Sequence, residues 1–217
     1  ASNRKFWDLV APILAQSTHV ITIDQRGHGE SDKPVTGYDF PSISHDLHRI
    51  LEALSLTRPI LIGHSWGGNV AVDFASTSAH DLAGIALIDG GLIQISTLPG
   101  NSLEKALVEM APPVFDHLSE SAFRRQLQSR KWPFRDQTSL RASLEEIIIA
   151  NFHIKHDATI TARLSFKNHL QIIKALWDHH PMELLHTIDC PVLLMPARPP
   201  GGGDPIPDIA HITHKEA

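Results

Sequence analysis

A serine stands between two glycines in Gly63-His64-Ser65-Trp66-Gly67, directly after the apolar run Ile60-Leu61-Ile62 and directly before residues with helical spacing. No other feature constrains the chain as much. Three consecutive aliphatic residues read as a strand covered on both faces, and Val70, Ala71, Phe74 and Ala75 recur as one face of a helix. A strand passes into a helix over so few residues only through a tight turn. The residues two before and two after the serine then crowd together, so both must be nearly free of side chain, and Gly63 and Gly67 meet that demand. Such a turn pushes the serine hydroxyl out above the end of the strand. The first N–H groups of the helix and the positive end of its dipole converge on the same place. The bland alternative is an ordinary glycine turn with a bystander serine, and the strand-to-helix context weighs against it.

Around this turn, strand and helix patterns alternate. Phe6, Leu9, Val10, Ile13 and Leu14 have helical spacing and lead to a buried-strand run, Val20-Ile21-Thr22-Ile23. Pro41 suits a first helical turn, and Ile43, Leu47, Ile50, Leu51 and Leu54 form one stripe before the run at 60–62. A third strand is predicted at 83–88, ending at Asp89. The alternation predicts an α/β fold, a mostly parallel sheet with helices on both faces. From residue 97 to 186 the pattern changes: Leu103/Leu107/Met110, Leu140/Leu144/Ile147/Ile148 and Leu170/Ile173/Trp177 are helical stripes with no strand between them. The reading is therefore a core of residues 1–96 and 187–217 with a helical cap insertion at 97–186. The strand pattern returns at Val192-Leu193-Leu194-Met195, proline and glycine make 198–207 a loop, and a last helix is expected near Ile209.

At 217 residues and 42% apolar, the chain has material for one sizeable core. Its formal charge of −5 and the lack of a Lys/Arg run argue against nucleic acid and anionic membranes as partners. No apolar run approaches the roughly 18–20 residues of a membrane span, and no signal-peptide core follows the first residues. Cys190 is the only cysteine, read as a small buried hydrophobe, and a cytoplasmic location is the expectation. Fifteen histidines invite a metal hypothesis. The pairs His45/His48, His153/His156 and His179/His180 have no cysteine or carboxylate set at ligand spacing, so solvent-facing histidines and no metal are expected. Trp132, Phe134, Phe152, Phe166 and Trp177 could line an apolar substrate pocket or serve as ordinary core.

The segment Asp24-Gln25-Arg26-Gly27-His28-Gly29-Glu30-Ser31 with Pro34, then Tyr38, Asp46, the 63–68 turn and Leu87-Ile88-Asp89-Gly90-Gly91, resembles the capped α/β-hydrolase family. The similarity runs from residue 1 to about 95 and returns at 186–197. The resemblance implies that Asp24 to Ser31 is a structural turn bent at Gly27 and Gly29, and that 63–67 is a nucleophile elbow. Ser65 would attack an acyl carbon, a histidine would move the proton, an acid would orient that histidine, and the Trp66 N–H would hold the oxyanion. His64, beside Ser65 in sequence, is read as shaping the elbow or pocket and not as the base. The acid is either Asp89, at the end of the strand after the elbow, or Asp204, on the loop after 192–195. The family position after Met195 falls near Pro199-Pro200, where no carboxylate stands, and this gives weight to Asp89.

The resemblance places the base histidine beyond a further helix and strand, and the sequence stops at Ala217. His211 and His214 follow Asp204 too closely to be assigned that role. The N-terminal oxyanion loop is likewise expected ahead of Ala1, so the sequence is expected to lack both ends of the domain and to show little catalysis as it stands. The implied substrate is a small carboxylic ester, lactone or thioester, with no cofactor. A serine at 65 argues against the dehalogenase and epoxide hydrolase branches, which place an aspartate there. Carbon–carbon bond cleavage on the same elbow and a non-catalytic ligand-binding member are the alternatives. The sequence leaves the oligomeric state open.

Overall fold

In the computed structural model, which describes residues 2–130 and 138–197, the run ahead of the glycine turn is a strand paired with the run that follows the next helix. In chain order the elements are α1 (Ala11–Leu14), α2 (Phe40–Ala53), β1 (Ile60–His64), α3 (Trp66–Ser78), β2 (Gly84–Ile88), α4 (Leu103–Glu109), α5 (Glu120–Ser129), α6 (Thr138–Ile149), β3 (Phe152–Ile154), β4 (Ile160–Ala162), α7 (Phe166–Asp178), α8 (Pro181–Leu184) and β5 (Val192–Met195). Two compact units emerge, Ala1–Tyr38 with Leu107–Ile173 and Asp39–Ala106 with Lys174–Ala217.

The second unit holds the parallel sheet, in the order β1-β2-β5. His64 stands opposite Ile88, and Ile88 opposite Met195, so the three strands end level with one another. The central strand β2 is apolar along its whole length and buried at Gly84 to Leu87. A parallel strand covered on both faces needs that composition. The flanking strands are wetter, with Ile60 and Leu193 exposed. α3 lies against β1 and β2 and buries Val70, Ala71, Val72, Phe74 and Ala75. Complete burial of a side chain such as Phe74 contributes about 1.5–3 kcal/mol. α2 starts where Pro41 placed it: the Asp39 carboxylate accepts the Ser42 N–H at 2.9 Å, and Phe40, Ile43 and Leu47 are buried. A cap of this kind is worth about 1 kcal/mol.

The first unit departs from the sequence expectation in three places. The helix expected from Phe6 to Leu14 is a 3-10 turn, Arg4–Trp7, followed by α1. Pro12 lacks the N–H that an interior helical residue donates, and it sits in the first turn of the restarted helix. The run Val20-Ile21-Thr22-Ile23 forms no strand. An apolar run supplies a face to bury but no ladder partner, and none of the described strands pairs with this segment. The block read as wholly helical contains an antiparallel hairpin, β3 with β4, paired Phe152↔Ala162 to Ile154↔Ile160. Its turn is closed by Asp157, whose carboxylate accepts the Thr159 N–H at 2.9 Å and the Thr159 hydroxyl at 2.6 Å. Phe123, Leu127, Ile149, Phe152 and Ile160 form the core here, and Phe152 stands edge-on to both Phe115 and Phe123.

The Asp24 to Ser31 turn belongs to the same unit and is held by its own first residue. Asp24 accepts the N–H groups of Arg4 at 2.6 Å and Glu30 at 3.0 Å. A side chain on Gly29 would enter the Asp24 carboxylate at 2.1–2.2 Å. Tyr38 donates to the Pro34 carbonyl at 3.0 Å and receives the Asn168 amide at 2.7 Å. No helix among the described residues is long and apolar enough to cross a membrane.

Candidate active site

Ser65 is the single residue between the last residue of β1 and the first of α3. Its backbone lies at φ 53°, ψ −121°, a region that costs a non-glycine residue about 1–3 kcal/mol. The surroundings enforce the conformation. The Ser65 N–H donates to Ile88 O at 3.0 Å, and the Ser65 carbonyl receives the Gly68 N–H at 2.8 Å. A Cβ on Gly63 would lie 2.1 Å from Gly67 O, so the demand that the sequence made of position 63 is a steric fact. Ser65 itself is exposed, and its side chain makes no capping bond to its own helix. A serine at a helix N-cap ordinarily spends its hydroxyl on the N2 or N3 N–H. Here the inverted backbone leaves the hydroxyl unspent, at the positive end of α3, beside N–H groups with no partner in their own helix.

The loop after β2 closes on this turn. Asp89 also has a positive φ, 45°, unusual for a non-glycine residue. Its N–H donates to Met195 O at 2.9 Å, and its carboxylate accepts the Ala197 N–H at 3.3 Å. Asp89 thus binds local backbone at the ends of β2 and β5, one residue past the carbonyl that anchors Ser65. Gly90 lies flat on the serine: a Cβ there would be 2.5 Å from both Ser65 Cα and Ser65 O. A Cβ on Gly68 would meet Gly91 N at 2.8 Å, so elbow and loop touch backbone to backbone.

Two side chains that the sequence reading passed over hold this contact. Asn69, 2% exposed on the first turn of α3, accepts the Gly91 N–H at 3.3 Å and donates to Ile93 O at 3.4 Å and to His179 Nδ1 at 3.1 Å. His179, read as solvent-facing, is 5% exposed and stacks on Phe40 with ring centroids 3.9 Å apart. Burial pushes its pKa down to about 4. Among the described residues its buried Nε2 finds no hydrogen-bond partner; it lies 3.9 Å from Asp73 Oδ1. With the ring neutral at pH 7, that approach is not an ion pair. Burial raises the Asp73 carboxyl, and a bond from Ser44 at 2.9 Å partly opposes the shift. Asn69 shares its helix face with Asp73 and Ser76 as well as Trp66 and Val72, so neither it nor His179 stands out in the sequence.

The structure therefore brings Ser65, Trp66, Gly63, His64, Gly67 and Asp89 to one end of the sheet, while Asp204, Trp132, Phe134, His211 and His214 lie outside the described residues. His64, half-buried at the end of β1, has its pKa lowered by burial against the opposing pull of Asp89. The Trp66 ring packs on Phe40 at 4.8 Å. Among the described residues no histidine ring hydrogen-bonds the Ser65 hydroxyl, and no three His, Cys, Asp or Glu side chains gather as metal ligands. His45, His48, His153, His156 and His180 are exposed. A concavity of about 320 Å³ lined by Arg58, His80, Thr187, Cys190 and Pro191 opens at the N-terminal ends of the strands, away from Ser65. Phe152 is core, and Phe166 is exposed.

Comparison with known proteins adds to this geometry. The model of the alpha/beta hydrolase fold family matches residues 1–138. A soluble epoxide hydrolase from Corynebacterium sp. is 34% identical over 113 residues, 51% of this chain and 38% of that protein. The crystal structure of E-2-(acetamidomethylene)succinate hydrolase superposes with a TM-score of 0.64 at 22% identity, over 89% of this chain and 68% of that one. An esterase from Exiguobacterium antarcticum gives 0.62 at 20% identity, over 89% and 68%. At these identities the likeness to the two solved structures is one of fold. The chain spans 38% and 34% of the length of the first two curated relatives.

Proposed function

The chain belongs to the alpha/beta hydrolase fold family, and on that premise we propose that it is a serine hydrolase of small carboxylic esters, lactones or thioesters. Ser65 Oγ attacks the carbonyl carbon as its proton passes to a general base. The tetrahedral oxyanion is held by the Trp66 N–H at the start of α3. Collapse expels the alcohol or thiol, which takes up the proton, and leaves an acyl group on Ser65. Water then attacks the acyl carbon, its proton passing through the base to Ser65 Oγ as the ester bond to the serine breaks and the acid leaves. Asp89 is assigned the acid that orients the base, because it leaves the strand next to the elbow with a strained backbone. Asp204 is the second candidate. No described residue takes the part of the base. The proposal includes the division into a core of 1–96 with 187–217 and a cap at 97–186, and a cytoplasmic setting in keeping with a lone cysteine.

One observation carries the reading: an exposed serine in an enforced, strained strand-to-helix turn whose hydroxyl is not used as a cap. A serine in the place where the sequence reading expects an aspartate of the epoxide hydrolase branch favours the acyl-enzyme route. The test is a panel of p-nitrophenyl esters, lactones and thioesters given to the full-length protein and to Ser65→Ala. Release of acid that depends on Ser65 supports the proposal. Cleavage of a carbon–carbon substrate alone, or thermal stabilisation by a ligand with no product, rejects it in favour of those readings.

A further inference from the structure

We propose that Asn69 is a positioning residue for Ser65, acting through the glycine loop after β2; this rests on the reading of Ser65 as the nucleophile. Asn69 is 2% exposed. A primary amide taken out of water must find partners inside the protein, and its partners indicate its role. Oδ1 takes the Gly91 N–H, and the two Nδ2 hydrogens go to Ile93 O and His179 Nδ1. Two of the three bonds therefore end on the backbone of the loop. The third fixes the amide itself, because His179 is clamped by its stack on Phe40.

The bond to His179 requires Nδ1 to act as an acceptor, which places the ring proton on Nε2. Burial keeps the ring neutral well below pH 7, so the acceptor persists over the working range. From the loop, the constraint reaches the serine without slack. Gly91 rests on Gly68, and Gly90 lies on Ser65 Cα and O so closely that not even a methyl group fits between. The chain of contact is Phe40, His179, Asn69, Gly91, Gly90, Ser65. Displacing the loop moves both the residue after Asp89 and the surface against which Ser65 is held. Misplacement of a reacting group by about 1 Å costs on the order of 100-fold in rate.

The experiment uses the full-length protein carrying Asn69→Leu, close in volume but without the amide, or His179→Phe, which keeps the stack on Phe40 and removes the Nδ1 acceptor. For each folded variant, kcat and KM with p-nitrophenyl acetate are measured, together with the rate at which a fluorophosphonate modifies Ser65. The expected result for Asn69→Leu is a fall in kcat and in modification rate on the order of 10- to 100-fold with KM within about twofold. His179→Phe is expected to lower both about tenfold, and the double variant to be no worse than Asn69→Leu, since the two residues act in series. Should Asn69→Leu not fold, His179→Phe alone carries the test. Wild-type kcat and modification rate in a folded variant, or a change confined to KM, overturn the proposal while leaving Ser65 as nucleophile. A wild-type protein with no Ser65-dependent turnover overturns the parent reading and this one together.

Discussion

The backbone N–H of Ser65 donates to the carbonyl oxygen of Ile88 at 3.0 Å, tying the turn that carries the serine to the last residue of the neighbouring strand. The register His64↔Ile88 sets this bond, so the height of the hydroxyl above the sheet follows from the pairing of β1 with β2. The glycines around it keep the elbow and the next loop in direct backbone contact.

Gly90→Ala tests that contact. Its new methyl group would lie 2.5 Å from backbone atoms of Ser65, which cannot rotate away as a side-chain tip would. We expect a loss of about 1–3 kcal/mol in urea unfolding and a marked fall in esterase turnover. Gly63→Ala, at 2.1 Å from Gly67 O, should be worse on both counts. Wild-type turnover in Gly90→Ala would show that the loop can retreat freely.

The strained backbone of Ser65 separates stability from activity. Ser65→Gly removes the side chain that disfavours φ 53°, so it should raise stability by about 1 kcal/mol, seen as a higher Tm, while abolishing turnover. Ser65→Ala keeps the strain and should abolish turnover with little change in Tm. Equal melting temperatures for the two variants would mean that the turn carries no strain.

His179 makes stability depend on pH. Its pKa is about 4 in the folded chain against about 6.5 unfolded, so between these values the unfolded chain binds more protons. Its contribution is fully present above pH 6.5 and is lost as the pH falls through 4. The difference in unfolding free energy between pH 7 and pH 4 should shrink in His179→Gln by on the order of 3 kcal/mol. An unchanged pH slope would place the ring in water.

Asp89→Asn and Asp204→Asn distinguish the two acid candidates. With Asp89 as the orienting acid, its amide variant should lose roughly 1,000- to 10,000-fold in kcat with the fold intact, and Asp204→Asn should lose little. The reverse pattern would move the role to Asp204 and leave Asp89 as the strand-end residue that binds the Ala197 N–H.

Much of this fold is local and so was legible. β5 coincides with the run Val192 to Met195, α2 has Pro41 in its first turn, and the glycine turn joins β1 to α3 as its spacing required. What escaped depends on partners. Val20 to Ile23 has the composition of a strand but finds no ladder, and strands as short as β3 and β4 are below the length at which a two-residue period can be seen. The same reason hid Asn69 and His179. They meet across 110 positions, and nothing near either residue in the sequence announces the other.

The most direct measurement is mass spectrometry of the full-length protein after treatment with a fluorophosphonate. The account predicts one adduct per chain, mapped to Ser65, and none on Ser65→Ala. An unmodified protein, or an adduct on any other residue, would contradict it.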